Sequence, residues 1–484
     1  MEPIGWVERL GRWSSGRGPL YVLLAARIRA LIDDGDLPPG SALPPDRALA
    51  AALAVGRGTV VAAYDQLAVE GRITRRQGSG TRVAGDPDAL SRSRETTAPR
   101  EATAQTPAFL HLLEPGDGVL LLACAAPDAP PADLVDAYAR AVPRLAGITG
   151  DIGYHPMGHP ELRRAIAERY RRRGAPTAVD QVLVTSGGQQ ALSLLARALL
   201  RPGDRVLVES PTYSGALEAF REEGALPRGL PVGLDGLAAA AAEHRPVLAY
   251  VIASFHNPTG AVLPALRRTH LVRTAAASGV VLVDDETLAD LGFPGAEEPP
   301  PPLAAHDDRV VTIGSLSKAV WGGLRVGWVR APAPLVARLG RLRAMHDLGG
   351  NIPAQLAATE LLGRLDEIRH RDAARRQARH DHLRAELARH LPGWHAPAVP
   401  GGQTLWVRLP HGDGTSFAQT ALRHGVAVLP GSTLDADAGS HEYLRLHFIA
   451  PPDALSEAVR RLAAAWSAYR PRPHRAPASP TLAI

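Results

Sequence analysis

The sequence predicts a multidomain protein, in which a small α+β domain at the N-terminus precedes a much larger α/β region. Helical patterns and one arginine-rich hairpin pattern fill the first 84 residues. From about residue 110 onward, strand-like apolar runs alternate with helical stretches, as in proteins whose mainly parallel sheet is covered by helices. At roughly 100 to 200 residues per domain, 484 residues suggest about three domains. The large region is therefore expected to divide in two.

The small domain begins with three helical patterns. Apolar residues at helical spacing predict an amphipathic helix from Pro19 to Ile32, a short helix from Ala48 to Leu53 and a third that begins at Arg57. Val55 and Gly56 form a turn of the kind that joins the two helices of a helix-turn-helix. The exposed N-terminal end of the third helix is where a recognition helix meets base edges in the major groove.

A hairpin pattern follows the third helix. Ile73 and Val83 flank a Gly-rich tip, and the span 72–83 contains four arginines and no acid. Guanidinium groups on a narrow hairpin beside a helix-turn-helix are well placed for DNA phosphates, which predicts strongly salt-dependent binding. The alternative is a small helical domain with a solvated arginine hairpin.

Between about residues 17 and 84, the runs LPPGxxLPxxRxLA, VxRxTVxxAYxxL and GSGTxV resemble the winged helix-turn-helix of GntR-type bacterial regulators. The resemblance implies that Arg47, Arg57 and Thr59 contact a double-stranded DNA operator and that Gly80 lies at the wing tip. Arg75, on the hairpin, is a further candidate for DNA binding. We expect residues 1–84 to form this DNA-binding domain.

Two segments have the composition of flexible chain. Residues 85–108 are rich in Ser, Thr, Ala, Pro and charge and have no apolar period, so we expect a flexible linker. An extended arm packed on the next domain is the alternative. Residues 471–484 are rich in Pro and Ala and are expected to form a disordered tail.

The large domain is expected to span residues 109–470. Its larger part covers about 150–345, and a smaller α+β part covers about 346–470 together with the N-terminal segment. The sequence predicts parallel strands at Gln181–Thr185, Arg205–Glu209, Val247–Ala253, Val280–Val283 and Val310–Ile313. Ligands of such sheets bind beyond the carboxyl ends of the strands. The residues with chemical potential fall at these ends.

Three of these strand ends carry candidate ligand-binding groups. Gly188 and Gln189 follow a strand and open an apolar helix, where backbone amides attract an anion, although a plain turn is the alternative. Tyr213 offers an aromatic face or simply packs in the core. Asn257, in the run His-Asn-Pro-Thr-Gly, offers a side-chain amide or forms a structural Asx turn.

Two further strand ends carry charges. Asp284 and Asp285 are adjacent carboxylates that call for a nearby cation, with a solvated loop as the alternative. We expect no metal, because no His or Cys lies near in the sequence. Lys318, between serines and a Gly-rich arginine loop, is the single lysine among 54 Lys and Arg residues. A lysine can lose its proton and form a Schiff base with a carbonyl, which an arginine cannot.

In this order, the groups resemble the fold-type I, aminotransferase-like transferases that depend on pyridoxal 5′-phosphate (PLP), over about residues 115–468. The resemblance implies that Lys318 forms the internal aldimine, Asp285 pairs with the ring nitrogen, Tyr213 stacks on the ring and Asn257 binds its phenolic oxygen. It also implies a set of residues that hold the phosphate, namely Gly188, Gln189, Ser315, Ser317 and Arg325.

The same resemblance assigns two more residues. Tyr154, in Gly-Tyr-His-Pro-Met-Gly, matches the tyrosine that reaches the phosphate of the neighbouring subunit, which implies a homodimer. Arg445 lies on a predicted strand at 443–448 and corresponds to the arginine that binds the α-carboxylate of an amino-acid ligand. A surface strand arginine is the alternative for Arg445.

One departure bears on turnover. The family pattern places a tyrosine three residues after the cofactor aspartate, where it donates to the phenolic oxygen, but this chain has Leu288 there. Efficient catalysis is thereby put in doubt, and PLP binding is not. The aspartate could also be Asp284; Asp285 is preferred because Ala289-Asp290-Leu291 then aligns with the family pattern.

Composition limits the compartment. The single cysteine, Cys124, excludes an internal disulfide framework, and neither a secretion signal nor an apolar run long enough for a membrane is recognisable. We expect a cytoplasmic protein. The net charge of +5 is weak evidence for nucleic acid on its own.

A GntR-type winged helix joined to an aminotransferase-like domain is the architecture of the MocR subfamily of transcription regulators, and the resemblance covers nearly the whole chain. It implies a PLP-binding, DNA-binding regulator that senses an amino compound or PLP through Lys318, with little or no turnover. The alternative is a catalytically active aminotransferase with an appended DNA-binding domain.

Overall fold

The computed structural model describes residues 20–33, 36–37, 41–53, 55–69, 72–76, 80–83, 118–127, 129–295, 300–437 and 439–471, together with Trp6, Leu10 and Trp13. The chain splits into two compact units, Met1–Ala104 and Gln105–Ile484. The predicted linker at 85–108 lies outside the described residues, as does the predicted tail beyond Pro471.

The first unit is a winged helix-turn-helix. Its helices are α1 (Leu20–Asp33), α2 (Asp46–Leu53) and α3 (Arg57–Val69), and its strands are β1 (Ala42–Leu43), β2 (Ile73–Arg76) and β3 (Gly80–Val83). The strands form a sheet in the order β1-β3-β2 with antiparallel pairs. The three predicted helices and the wing hairpin are confirmed.

Two details of this unit differ from the prediction. The second helix begins at Asp46 and not at Ala48, since the two prolines before it fix an extended entry and an acid is favourable in the first turn. Strand β1 was not predicted, because two residues are too short to show an alternating pattern. The core of the unit includes Trp6 and Leu10, which are 1% exposed and precede the predicted helices.

The second unit is built on a seven-stranded sheet with the order β5-β11-β10-β9-β8-β6-β7. These strands are β5 (Val182–Thr185), β6 (Arg205–Glu209), β7 (Leu226–Leu230), β8 (Leu248–Val251), β9 (Val281–Asp285), β10 (Val311–Ser315) and β11 (Gly327–Arg330). Only β11 runs against its neighbours. The five predicted strands are confirmed, and β7 and β11 are additions.

Helices cover both faces of this sheet and give it two buried apolar clusters. They are α4 (Ala132–Ala141), α5 (Pro160–Arg172), α6 (Gly188–Leu199), α7 (Ser214–Glu222), α8 (Leu237–His244), α9 (Ala265–Ala277), α10 (Ala333–His346) and α11 (Ile352–Gly363). The fold class predicted for this region, α/β with a mainly parallel sheet, is confirmed.

The remaining elements form a smaller sheet and its helices. A three-stranded antiparallel sheet has the order β12-β15-β14, and β4 pairs with β13 in parallel. The elements are β4 (Leu120–Leu121), α12 (Leu365–His390), β12 (Thr404–Arg408), α13 (Gly414–Arg423), β13 (Val426–Ala427), β14 (Leu429–Pro430), β15 (Tyr443–His447) and α14 (Pro452–Ala468). Through β4, the segment near residue 120 joins this smaller part.

None of the helices in the described part of the chain is long and apolar enough to cross a membrane.

Candidate functional site

A cavity of about 430 Å³ opens at the carboxyl ends of the parallel strands. The strands β5, β6, β8, β9 and β10 run in the same direction, so the residues that follow them meet at one edge of the sheet. The cavity is lined by Cys124, Ala126, Gly188, Gln189, Tyr213, Ile252, Asn257, Asp285, Thr287, Leu288, Ser315, Ser317, Lys318, Gly322 and Arg325. All the predicted cofactor residues except Tyr154 are in this lining.

Lys318 lies in the turn after β10 and projects into the cavity. Its Nζ donates a hydrogen bond to the carbonyl oxygen of Ala125, 2.6 Å away. Burial lowers the pKa of Lys318, because the charged ammonium loses hydration there. The amine is therefore neutral, and nucleophilic, at a lower pH than that of an exposed lysine.

The two adjacent carboxylates face opposite sides of the sheet, as neighbouring strand residues do. Asp285 lines the cavity and accepts hydrogen bonds from the Tyr250 hydroxyl at 2.6 Å and from the backbone N–H and hydroxyl of Thr287. Asp284 is turned away from the cavity, where the backbone N–H of Leu303 contacts it at 3.4 Å. Burial raises the pKa of Asp284 to about 7. This geometry favours Asp285 as the partner of a ring nitrogen.

The helix α6 begins at Gly188 and directs its free N–H groups toward the cavity. Gly187 has φ +131°, which an L side chain rarely adopts, and a Cβ there would lie 3.2 Å from Nη2 of Arg325. Ser315 and Ser317 join the same edge through a hydroxyl contact of 3.0 Å. A helix N-terminus, a guanidinium and two hydroxyls form a site that fits a phosphate group.

Tyr213 follows β6 and lines the cavity with its ring. Its hydroxyl donates to the side-chain oxygen of Gln189 at 3.1 Å, and the amide of Gln189 donates to the carbonyl of Gly215 at 2.9 Å. Burial raises the pKa of Tyr213 to about 12, so the phenol remains neutral. The contact holds Tyr213 and Gln189 together beside the start of α6.

Asn257 and Arg445 meet although they come from the larger and the smaller part. Nη1 of Arg445 donates to the side-chain oxygen of Asn257 at 3.2 Å, and Nη2 donates to the carbonyl of Ala123. Arg445 is 7% exposed, and its Nε has no hydrogen-bond partner among the described residues. Burial lowers the pKa of Arg445 to about 10. Arg445 therefore lies behind the cavity lining and contacts it through Asn257.

Tyr154 is not brought into this cavity. Its side chain is 61% exposed on the surface of the second unit, and that of the nearby Ile152 is 82% exposed. The role predicted for it, contact with the phosphate of a partner subunit, stays a prediction.

The sequence reasoning missed several lining or supporting residues. Tyr250 contacts Asp285 from the next strand, Thr287 contacts it from two residues on, and Cys124 and Ile252 complete the wall. The spacing of motifs in the sequence could not predict the contact of Tyr250 with Asp285, because it depends on the pairing of β8 with β9, which only the structure shows. Thr287 could have been found from the sequence as a hydroxyl two residues after Asp285.

The predicted DNA-binding residues lie on α2 and α3, on either side of the turn between them, and in the wing. Arg57 is the first residue of α3, and its Nε donates to Oδ2 of Asp46 at 3.0 Å. Arg47 is exposed on α2, and Thr59 is half-buried on α3. Arg75 pairs with Thr81 in the wing, and Gly80 is the first residue of β3; the side chain of Arg75 lies outside the described residues.

Within the described ranges, no group of three or more His, Cys, Asp or Glu residues could hold a metal ion.

Comparison with known proteins agrees with both units. The family model "Aminotransferase class I and II" matches residues 119–462, and the model of bacterial regulatory proteins of the gntR family matches residues 20–83. The HTH-type transcriptional regulator YisV of Bacillus subtilis is 29% identical over 94% of this chain and 99% of its own length. The pyridoxine biosynthesis transcriptional regulator PdxR of Corynebacterium glutamicum is 34% identical over 66% of this chain and 68% of its own.

Among solved structures, the α-aminoadipate aminotransferase LysN of Thermus thermophilus, complexed with N-(5′-phosphopyridoxyl)-L-leucine, matches with a TM-score of 0.67. It is 29% identical and covers 76% of this chain and 95% of LysN. The aminotransferase fold and these relatives imply that the large unit binds PLP, and the cavity described above fits that cofactor. The chain belongs to the aminotransferase class I and II family and, with its GntR domain, to the MocR subfamily of GntR-type DNA-binding transcription regulators.

Proposed function

We propose that this regulator holds PLP at Lys318 and that PLP, or an amino compound that reacts with it, changes the binding of the N-terminal unit to an operator. One observation carries the proposal. Lys318, the only lysine of the chain, lines the same cavity as the buried carboxylate of Asp285 and the N-terminus of α6. An amine, an anionic partner for a ring nitrogen and a phosphate site are the three groups that PLP requires.

Each lining residue has a task toward the cofactor. When bound, PLP supplies an aldehyde that combines with primary amines and a ring that withdraws electrons. Lys318 provides the amine, Asp285 faces the ring nitrogen, Tyr213 covers the ring and Asn257 binds its phenolic oxygen. The phosphate is held by Gly188, Gln189, Ser315, Ser317 and Arg325.

Arg445 is proposed to bind the carboxylate of the effector. Its guanidinium is buried, contacts Asn257, and keeps Nε available for a further acceptor. An effector changes DNA binding only if it binds one arrangement of the protein more tightly than another. PLP itself is one candidate effector, since the similar regulator PdxR is named for pyridoxine biosynthesis.

A homodimer in the cytoplasm is the proposed working form. The exposed Tyr154 and Ile152 support a subunit contact on this face, where Tyr154 would reach the partner's phosphate site. The match to bacterial regulatory proteins of the gntR family supports the cytoplasm, where the DNA of a bacterium lies.

The second candidate function is an active aminotransferase. The intact set of polar groups in the cavity supports it, and Leu288 in place of a phenol opposes it. Robust multiple turnover over a panel of amino acids and 2-oxo acids would contradict the regulator-only proposal. We expect at most slow, partial conversion of bound PLP.

The direct test is a footprint on the DNA upstream of the protein's own gene, with and without PLP and candidate amines. Protection of a defined segment that changes with PLP or an amine is the expected result. Arg57→Ala should remove the specific footprint, whereas Arg164→Ala, an exposed arginine on α5, should leave it unchanged. Equal footprints for wild type and Arg57→Ala would refute the placement of the recognition helix.

A further inference from the structure

Tyr250 is a buried phenol that contacts the cofactor aspartate. It lies on β8, and Val283, two residues before Asp285, is its pair on β9. Its hydroxyl donates to Oδ2 of Asp285 at 2.6 Å, and the residue is 0% exposed. The ring packs edge-on against Phe220, with centroids 5.9 Å apart. Tyr250 does not line the cavity, so it reaches any ligand there only through Asp285.

The second oxygen of Asp285 has its own donors. The backbone N–H of Thr287 donates to Oδ1 at 2.9 Å, and the Thr287 hydroxyl donates to the same atom. Hydrogen bonds to both oxygens fix the plane of the carboxyl group and stabilise its ionised form. The carboxylate is therefore oriented before any cofactor arrives.

We propose that Tyr250 is a positioning residue for PLP, which keeps Asp285 ionised and aimed at the ring nitrogen and thereby sets how strongly the ring withdraws electrons. This inference rests on the proposed function, in which Asp285 pairs with that nitrogen. A protonated pyridine nitrogen needs an ionised partner, and an unassisted carboxylate at this depth is costly. The Tyr250 hydroxyl lowers that cost.

The burial of the site supports this role. Burial raises the pKa of Asp285, and the hydrogen bonds from Thr287 and Tyr250 oppose the rise. Burial likewise raises the pKa of Tyr250 well above its ordinary value, so the phenol keeps its proton and remains a donor. Removing the Tyr250 hydroxyl should therefore make Asp285 more basic.

The hydrogen bond between Tyr250 and Asp285 matters more in this chain because Leu288 replaces a tyrosine of the family pattern. In the family pattern a tyrosine at this position donates to the phenolic oxygen of the ring, and here the cavity wall at this position is apolar. The phenol of Tyr250 acts instead through the ring nitrogen, by way of the carboxylate. We infer that this chain tunes its cofactor mainly from the nitrogen side.

The test is Tyr250→Phe in the full-length protein, which removes one oxygen and keeps the packing on Phe220. The matched control is Tyr170→Phe, because Tyr170 is also a buried phenol of this unit, but its hydroxyl accepts from Trp328 and its ring lies in the other apolar cluster. Two quantities are measured: the Kd for PLP, and the pH midpoint of the visible absorption of bound PLP.

We expect Tyr250→Phe to raise the Kd for PLP about 5- to 20-fold. The pH midpoint should move upward by about half a unit or more. A more basic Asp285 carboxylate draws the proton away from the ring nitrogen, so the ring carries less positive charge. The Lys318 nitrogen attached to that ring then keeps its own proton to a higher pH. Thr287→Val, which removes another donor to Asp285, should move the midpoint in the same direction. Tyr170→Phe should match wild type in both quantities.

A double-mutant cycle separates positioning from packing. In an Asp285→Asn background, Tyr250→Phe should have no further effect on the Kd, since the carboxylate is gone. An unchanged midpoint in both Tyr250→Phe and Thr287→Val, or a Kd effect that persists in the Asn background, would overturn the inference. If wild type itself fails to bind PLP, the proposed function fails first, which is a distinguishable result.

Discussion

Nη1 of Arg445 lies 3.2 Å from the side-chain oxygen of Asn257 and donates to it, although 188 residues separate the two along the chain. Arg445 belongs to β15 of the smaller sheet, and Asn257 follows β8 of the large one. The contact therefore connects the proposed carboxylate site to the residue proposed to bind the phenolic oxygen of PLP. A ligand that binds Arg445 would, in this proposal, alter the position of the Asn257 side chain and so its hydrogen bond to PLP.

Arg445→Gln should separate ligands by their carboxylate. It retains a hydrogen-bonding group without the charge or the planar fork, so we expect the Kd of an amino-acid effector to rise about 10- to 100-fold. The corresponding amine without the carboxylate should bind as it does to wild type. The changes are measured from the absorption of bound PLP during titration, and equal losses for both ligands would show that Arg445 only supports the fold.

Lys318 offers a test that few proteins permit, because no other lysine competes for labelling. Reduction of the PLP-bound protein with borohydride, followed by peptide mass analysis, should place the phosphopyridoxyl group on the single peptide that contains Lys318. Lys318→Ala and Lys318→Arg should both be unlabelled, since a guanidinium forms no imine. Label on the N-terminal amine alone would contradict the assignment.

The rate of this attachment should follow the protonation of Lys318. Burial lowers its pKa, so the neutral amine is present at a lower pH than in an exposed lysine. The rate of PLP attachment should therefore rise with pH and level off below the range in which an ordinary lysine titrates. A stopped-flow pH series measures it; a midpoint at the ordinary value of about 10.4 would contradict the effect of burial.

Local sequence patterns predicted most of the residues that line the cavity, but not the residues behind them that hold them in position. Gly188, Asn257, Asp285 and Lys318 each follow or end a strand, and parallel strands bring such ends to one edge, so their proximity was predictable. Tyr250 was not, because its contact with Asp285 depends on which strands are neighbours. That order, with β11 inserted between β5 and β10, is set by packing over the whole unit.

The buried arginines were unpredictable for a similar reason. Arg268 is 0% exposed and donates to the carbonyls of Ala253, Leu263, Pro300 and Pro301 and to the hydroxyl of Ser254. It thereby fixes the loop that leads to Asn257. A planar guanidinium can donate hydrogen bonds to several carbonyl oxygens at once. Some of the arginines of this chain therefore stabilise its interior and do not only carry surface charge.

Leu288→Tyr should restore a donor on the oxygen side of the cofactor ring. A phenol there stabilises the ionised oxygen and should lower the pH midpoint of the bound-PLP absorption, opposite in direction to Tyr250→Phe. Turnover, if any, should increase. Leu288→Phe adds the ring without the hydroxyl and is the control; if it shifts the midpoint as far as the tyrosine does, the effect is steric and the hydrogen-bond explanation fails.

Asp290 and Arg169 should make the large unit sensitive to acid. Arg169 donates to Asp290, and their side chains are only 8% and 14% exposed, respectively. Burial by itself would raise the pKa of Asp290, but Arg169 and Arg173 outweigh it and hold this pKa below its ordinary value. A lowered folded-state pKa stabilises the fold above the unfolded-state pKa of about 3.9, and this stability is lost as the pH falls through the folded-state value.

Asp290→Asn should therefore lower the free energy of unfolding by about 3–5 kcal/mol at neutral pH, because it leaves a buried guanidinium without its counter-charge. The difference from wild type should shrink as the pH falls below about 3.9, where Asp290 of the unfolded chain takes up a proton, and should be smallest below the lowered pKa of the folded state. Urea unfolding at a series of pH values measures both quantities. Glu457→Gln, which removes the carboxylate that Arg460 and Arg461 contact on the surface, is the control and should leave the curve unchanged. A difference for Asp290→Asn that stayed constant down to pH 3 would mean that the loss comes from packing and not from the charge.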